Sequence, residues 1–129
     1  MRTDLRPPRP LGLRIAGWIG AALFLLALFA VAWVWCAMAF DEQFSEESKA
    51  QAADTTMAGF GLAWGLIPVL VLHVLVLIGL FLAIRDGWRG VGLSVLLAVG
   101  ALAATSLPGF VATQLLSGGS MFEPPVYVP

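Results

Sequence analysis

The chain has few side chains of the kinds that carry catalysis or bind metals. Its 129 residues include one cysteine, Cys36, and one histidine, His73, and only 12% of them are charged. A single cysteine excludes an internal disulfide, and no Cys/His spacing typical of a metal site is present. The G-x-S-x-G, H-E-x-x-H and P-loop motifs are also missing. The sequence therefore predicts a protein that is not an enzyme and that has no metal site and no cofactor.

The scarcity of charge is matched by an excess of apolar residues. Hydrophobic residues make up 60% of the chain, and the mean hydropathy is +0.92. Soluble domains are about 45–50% apolar and about 25% charged, and so short a chain cannot bury this much apolar surface in water. The composition indicates an integral membrane protein. The net charge of −1 offers no electrostatic basis for binding nucleic acid.

Three apolar runs contain no charged residue: residues 15–40, 57–84 and 91–116. Each exceeds the roughly 20 residues that cross about 30 Å of hydrocarbon. Lipid offers the backbone no hydrogen-bond partners, so such runs must be helical. The predicted fold is all-α, with three transmembrane helices separated by residues 41–56 and 85–90 and flanked by residues 1–14 and 117–129.

The charges between these runs predict their orientation. Six of the seven basic residues lie before the first run or between the second and third: Arg2, Arg6, Arg9, Arg14, Arg85 and Arg89. Residues 41–56 instead hold five acids and one lysine. By the positive-inside rule, residues 1–14 and 85–90 are cytoplasmic, and the acidic loop 41–56 and tail 117–129 are external. The short connection 85–90 predicts a tight antiparallel hairpin of spans two and three.

Tryptophans, which favour headgroup depth, fit the same arrangement. They fall near the predicted inner boundaries at Trp18 and Trp88, and near the outer ones at Trp33, Trp35 and Trp64. A competing interpretation is a signal peptide, because residues 37–39 read Ala-Met-Ala. The apolar run before them is over 20 residues long, whereas a signal h-region has about 7–15. We therefore expect the first run to remain as a membrane span.

Small residues on the second span predict a face for helix packing. Gly61 and Gly79 are 18 residues apart, which is about five turns of an α-helix. Gly65 and Ala83 follow each of them by four residues, so all four are expected on one face. Small residues let helices approach closely in lipid. This face is expected to pack either within the chain or against another subunit.

His73 raises a separate question, because it lies in the middle of the second run. On an ideal α-helix it falls about 120° from Gly61 and near the bilayer midplane, where an ionisable group needs a partner. We expect a neutral imidazole hydrogen-bonded to a backbone carbonyl, to Thr105 or to Ser106. The alternatives are a proton or quinone site and a haem ligand. Since the chain has no second histidine, a haem would take its other ligand from a partner or a second copy.

These features predict a non-catalytic accessory subunit of a larger membrane complex in the plasma membrane. Its partners would be other integral membrane subunits and the lipid bilayer. An energy-transducing respiratory assembly is the favoured example, and the arginine-rich composition points to a bacterium. The tail is expected to contact a partner through Phe122, Val126 and Tyr127. Two alternatives remain open: a homo-oligomeric, holin-like pore, and a stand-alone regulator that binds through the external loop or the tail.

The predicted topology can be tested by cysteine accessibility. With Cys36 replaced by serine, new cysteines at Ser48 and Ser120 should both react with an impermeant reagent added outside the cell. Both positions are expected on the external side because the basic residues flank the opposite one. Reaction only after the cytoplasmic face is exposed would reverse the orientation.

Overall fold

A computed structural model describes residues 10–85 and 90–124, and within these ranges the chain is helical and has no strand. Helix α1 is Leu11–Ala52, helix α2 is Ile67–Arg85 and helix α3 is Val91–Leu116, and a π-helical segment, Gly61–Leu66, leads directly into α2. In the described part of the chain, three helices are long and apolar enough to cross a membrane. The all-α class and the three apolar spans are thereby confirmed. Residues 86–89 of the predicted hairpin turn lie outside the described ranges.

Helix α1 is much longer than the first apolar run. Its 42 residues span about 63 Å at 1.5 Å per residue. The acidic segment predicted as a loop, residues 41–56, is helical as far as Ala52. Side-chain pairs along the helix support this extension: Lys49 Nζ lies 2.6 Å from Glu46 Oε1, and the Gln51 amide donates to Glu47 at 3.1 Å. Glutamate, lysine and glutamine are good helix formers in water, so the change to polar sequence does not end α1.

Helix α1 ends at a left-handed residue, Asp54, whose φ is +58°. The Thr55 N–H donates to the Ala50 carbonyl at 2.9 Å, and the Asp54 N–H donates to the Gln51 carbonyl at 3.1 Å. This pair of bonds is the Schellman ending, in which glycine is usual and aspartate is tolerated. The ending reverses the chain toward the second span.

Two side chains of the α1 extension hold the returning chain. The Glu47 carboxylate accepts hydrogen bonds from the Met57 N–H at 2.8 Å and from the Thr56 hydroxyl at 3.1 Å. The Met57 N–H is the main cause of a lowered pKa of Glu47, so the carboxylate persists to lower pH than that of an ordinary glutamate. Gln43 Oε1 accepts from the Gly61 N–H at 2.8 Å. That N–H begins a helix and has no partner within it, so the polar extension caps the second span.

The π-helical segment has a local cause in Pro68. Proline has no N–H, so the carbonyl four residues earlier, that of Trp64, has no α-helical donor. The Trp35 indole N–H of α1 donates to this carbonyl at 2.8 Å. The wider π-helical turn and the indole from α1 together accommodate the missing bond.

The four small residues of the second span do not share a buried face. Gly61 and Gly65 are buried, whereas Gly79 and Ala83 are exposed, and no atom of another element lies within 4 Å of a Cβ placed at Gly79. The next buried residue after Gly65 is Val69. A π-helical turn holds more residues than an α-helical one. Successive residues of Gly61–Leu66 are therefore separated by a smaller rotation about the helix axis than in an ideal α-helix.

Residues 29–40 of α1 contact both of the other helices. A Cβ at Gly65 would lie 3.0 Å from the Ala39 Cβ and 3.1 Å from the Cys36 carbonyl oxygen. On α3, a Cβ at Gly109 would lie 3.0 Å from the backbone N and Cα of Ala30. At both glycines the helices approach more closely than a side chain would permit. This part of α1 therefore lies at the centre of the three-helix packing.

The segment after α3 folds back toward α1. Met121 is buried, and the Phe122 ring lies edge-on to the Phe40 ring with 5.0 Å between centroids. Phe122, expected to contact a partner, therefore contacts α1 of its own chain. Val126 and Tyr127, expected beside it, lie outside the described residues.

Gly109 and Gly100 make a matched pair for testing the α1–α3 contact. Gly109→Ala should destabilise the fold by about 1–3 kcal/mol, because the new methyl group would meet backbone atoms that cannot move aside. Gly100→Ala should leave stability unchanged or raise it, since no atom lies within 4 Å of that position and alanine favours helix. The measurement is the free energy of unfolding in mixed micelles. Equal values for the two variants would contradict the close approach.

Candidate functional site

The site is built around His73, and its ring protonation follows from one hydrogen bond. His73 Nδ1 lies 2.7 Å from the Val69 carbonyl oxygen, one turn earlier on α2. A carbonyl can only accept, so Nδ1 carries the proton and donates. In a neutral imidazole the second nitrogen, Nε2, is then an acceptor.

That acceptor is matched by a hydroxyl from α3. His73 Nε2 lies 2.6 Å from Ser106 Oγ, and the Trp33 indole N–H of α1 donates to the same oxygen at 3.0 Å. An indole can only donate, so Ser106 accepts from Trp33, and with a neutral His73 whose Nε2 is an acceptor the Ser106 hydroxyl donates to that nitrogen. The bonds run in one direction, from Trp33 through Ser106 and His73 to Val69, and they connect all three helices.

Aromatic rings enclose the imidazole. The Phe29 ring centroid lies 4.5 Å from that of His73, and the Trp33 ring meets His73 edge-on at 5.7 Å. Phe29 is fully buried. A charged imidazole placed here would be costly because no carboxylate is present in the apolar runs to pair with it. The arrangement suits a neutral ring that links helices.

The two hydroxyls that were expected as partners of His73 have different roles in the structure. Ser106 was one of the expected partners, and it makes the contact. Thr105, the other, donates to the Ala101 carbonyl of its own helix at 2.8 Å. Trp33 was not expected, because its place in the sequence suggested the outer boundary. Since Trp33 and His73 share Ser106, they lie at similar depths, and an outer-boundary Trp33 is incompatible with a midplane His73.

An open groove of about 380 Å³ lies beside this cluster. Trp33, His73, Ser106 and Phe110 line part of it, and apolar residues of α3 line the rest. A haem iron or another ligand at Nε2 would have to displace Ser106. Over residues 10–85 and 90–124, no group of three or more His, Cys, Asp and Glu side chains could hold a metal ion.

The chain matches no protein-family model, no curated protein and no solved structure. Its function must therefore be inferred from the geometry of its own residues.

A double-mutant cycle tests the bond between His73 and Ser106. His73→Leu and Ser106→Ala should each destabilise the protein, and the double variant should be less destabilised than the sum. The expected coupling is about 0.6 kcal/mol and at most about 1.7 kcal/mol, the range for hydrogen bonds between membrane helices. The measurement is the free energy of unfolding in mixed micelles.

Ser94→Ala serves as the control for this cycle. Ser94 is also buried on α3, but its hydroxyl donates to the Gly90 carbonyl of its own chain segment at 2.9 Å. It should show no coupling to His73→Leu. Additive effects of His73→Leu and Ser106→Ala would contradict a bond that holds α2 to α3.

Proposed function

We propose that this protein is a non-catalytic accessory subunit of a larger membrane complex, and that another membrane subunit covers the N-terminal third of α1. The observation behind the proposal is the asymmetry of that helix. Residues 11–24 are all exposed, whereas residues 29–40 pack against α2 and α3. About 20 Å of helix thus has no neighbour among the described residues.

The composition of the exposed residues 11–24 favours a protein neighbour over lipid alone. Ala16 and Gly20 are four residues apart, as are Gly17 and Ala21. Such spacing lets a second helix approach the backbone closely. Nothing lies within 4 Å of a Cβ placed at Gly17 or Gly20, so the described residues leave this surface free for a partner.

The polar side chains of the spans support a structural role. Ser94, Thr105, Ser106 and Thr113 are all buried, and each of their hydroxyls is already hydrogen-bonded, mostly to its own helix. No hydroxyl in this set is left free to act on a substrate. A pore requires a polar stripe facing water, so the same burial argues against the homo-oligomeric pore.

The external segments offer limited support for the stand-alone regulator. Glu47 is engaged by Met57 and Thr56, and Phe122 contacts Phe40. These residues stabilise the chain's own fold, whereas the exposed residues 11–24 of α1 do not. Among possible assemblies we favour an energy-transducing complex of the bacterial plasma membrane, since small multi-pass accessory subunits are common in such complexes.

The proposal is tested by co-purification in a mild detergent. The tagged chain should carry other integral membrane proteins with it, and Gly17→Leu combined with Gly20→Leu should remove them by blocking close approach. Gly92→Leu, at an equally open position on α3, should leave them bound. None of the variants should unfold more readily than the wild type in micelles, since none fills a contact within the described chain and leucine favours helix over glycine.

A wild-type protein that purifies as a monodisperse monomer without partners would defeat the accessory role. Partners that remain bound to the Gly17→Leu, Gly20→Leu variant would place the interface elsewhere. Mass spectrometry of the co-purified proteins would identify the complex and decide whether it is a respiratory one.

A further inference from the structure

We infer that the outer end of the bundle carries a binding site for a quaternary ammonium group, and that its occupant is the headgroup of a choline phospholipid. A cavity of about 400 Å³ lies there between α1 and the π-helical segment. Its lining is mainly aromatic and aliphatic, with one acid: Trp35, Met38, Ala39, Phe60, Trp64 and Glu42. No residue of the His73 cluster lines it.

The cavity lies where the apolar part of α1 ends. Ala39 is inside the apolar run, and Asp41 and Glu42 begin the polar extension of the same helix. In a bilayer this boundary falls at the headgroups, where tryptophan is favoured. A lipid headgroup therefore reaches the cavity without leaving its own depth.

The aromatic rings are spaced suitably for a single cation. The Phe60 and Trp64 ring centroids are 6.4 Å apart and inclined by 36°. A cation is attracted to the face of a ring when it lies within about 6 Å of the centroid, so one ammonium group can be within range of both rings. Trp35 lines the same cavity and supplies a third aromatic surface.

One of these rings, that of Trp35, is held in place although it is exposed. Trp35 is 56% exposed and Trp64 is 61% exposed. The Trp35 N–H is bonded to the Trp64 carbonyl at 2.8 Å, which ties the indole to the second span. A site whose side chains are already ordered loses less entropy when a ligand binds.

Charge and hydrogen-bonding capacity select the ligand. Residues 41–54 hold five acids and one lysine, and Lys49 is already paired with Glu46. The surroundings therefore favour a cation over an anionic headgroup. A primary ammonium brings three N–H donors and would find one charged acceptor in the lining, Glu42. A quaternary ammonium brings none and suits the rings and aliphatic groups that make up the rest of the lining.

The inference is tested by lipid retention in native mass spectrometry, after reconstitution with equal amounts of phosphatidylcholine, phosphatidylethanolamine and phosphatidylglycerol. Phosphatidylcholine should be retained preferentially. Trp64→Leu should lower that preference about two- to fivefold, the loss expected for one exposed cation–ring contact. Trp64→Phe keeps a ring and should retain most of it, and Glu42→Gln should weaken it. Trp18→Leu, at an exposed tryptophan near the other end of α1, is the control and should change nothing.

Equal retention of the three lipids by the wild type would overturn the choline-lipid assignment. Binding of tetramethylammonium chloride then shows whether the cavity binds a quaternary ammonium group from another source or none at all. If it binds in a Trp64-dependent way without any phosphatidylcholine preference, the quaternary ammonium site stands and the lipid source is wrong. If it does not bind either, the tryptophans only anchor the helices at the interface. Neither result depends on Gly17 or Gly20, so the lipid test and the co-purification test of the accessory role can fail independently of each other.

Discussion

Pro68 has no backbone N–H, so it leaves the carbonyl four residues earlier without an α-helical donor. That carbonyl belongs to Trp64, and the Trp35 indole satisfies it from α1 at 2.8 Å. The π-helical turn before Pro68 brings Gly61 and Gly65 to face α1, where residues 36–40 pack against them. One missing donor thus accounts for the indole bond between α1 and the second span and for the fixed position of the exposed Trp35 ring.

The second set of contacts depends on the close approach of α1 and α3. Gly109 lets the α1 backbone come so near at Ala30 that even a methyl group would be crowded. Trp33 follows Ala30 on α1 and Ser106 precedes Gly109 on α3, and the two helices run in the same direction. The Trp33 side chain therefore leans back toward the N-terminus of α1, as helical side chains do, to reach the Ser106 hydroxyl. His73 completes the set from α2. Each polar atom in the chain of bonds has a partner inside the bundle, as an apolar environment requires.

Much of the architecture could be predicted because a bilayer imposes strong constraints on composition and length. The third span, residues 91–116, is the helix Val91–Leu116, and Ser106 was among the expected partners of His73. The extent of α1 was not predicted, since a polar sequence signals contact with water but does not by itself distinguish loop from helix. Glu46, Lys49 and Gln51 are good helix formers at helical spacing, which indicates helical turns in this segment but not their continuity with the first span.

Only the Gly61 and Gly65 part of the predicted face packs within the described chain, and the reason is a different one. Pro68 was visible in the sequence, but whether a helix responds to proline by kinking or by a π-helical turn depends on where another donor is available. Here the donor is Trp35, which is 29 residues from the carbonyl that it satisfies. Pairings of that kind are tertiary, and no local pattern contains them. Gly109 and Trp33 escaped notice in the same way, since each acts through a residue of another helix.

The glycines of α1 pose the remaining energetic question. Glycine inside a helix costs about 1 kcal/mol relative to alanine, and Gly65 and Gly109 offset that cost by letting backbones pack closely. Gly17 and Gly20 lie in the interior of α1 with open space around them. Alanine at either position would favour the helix and meet no obstacle within the described chain. If close packing is the compensation at Gly17 and Gly20 too, as it is at Gly65 and Gly109, the contact that provides it must come from a neighbouring molecule.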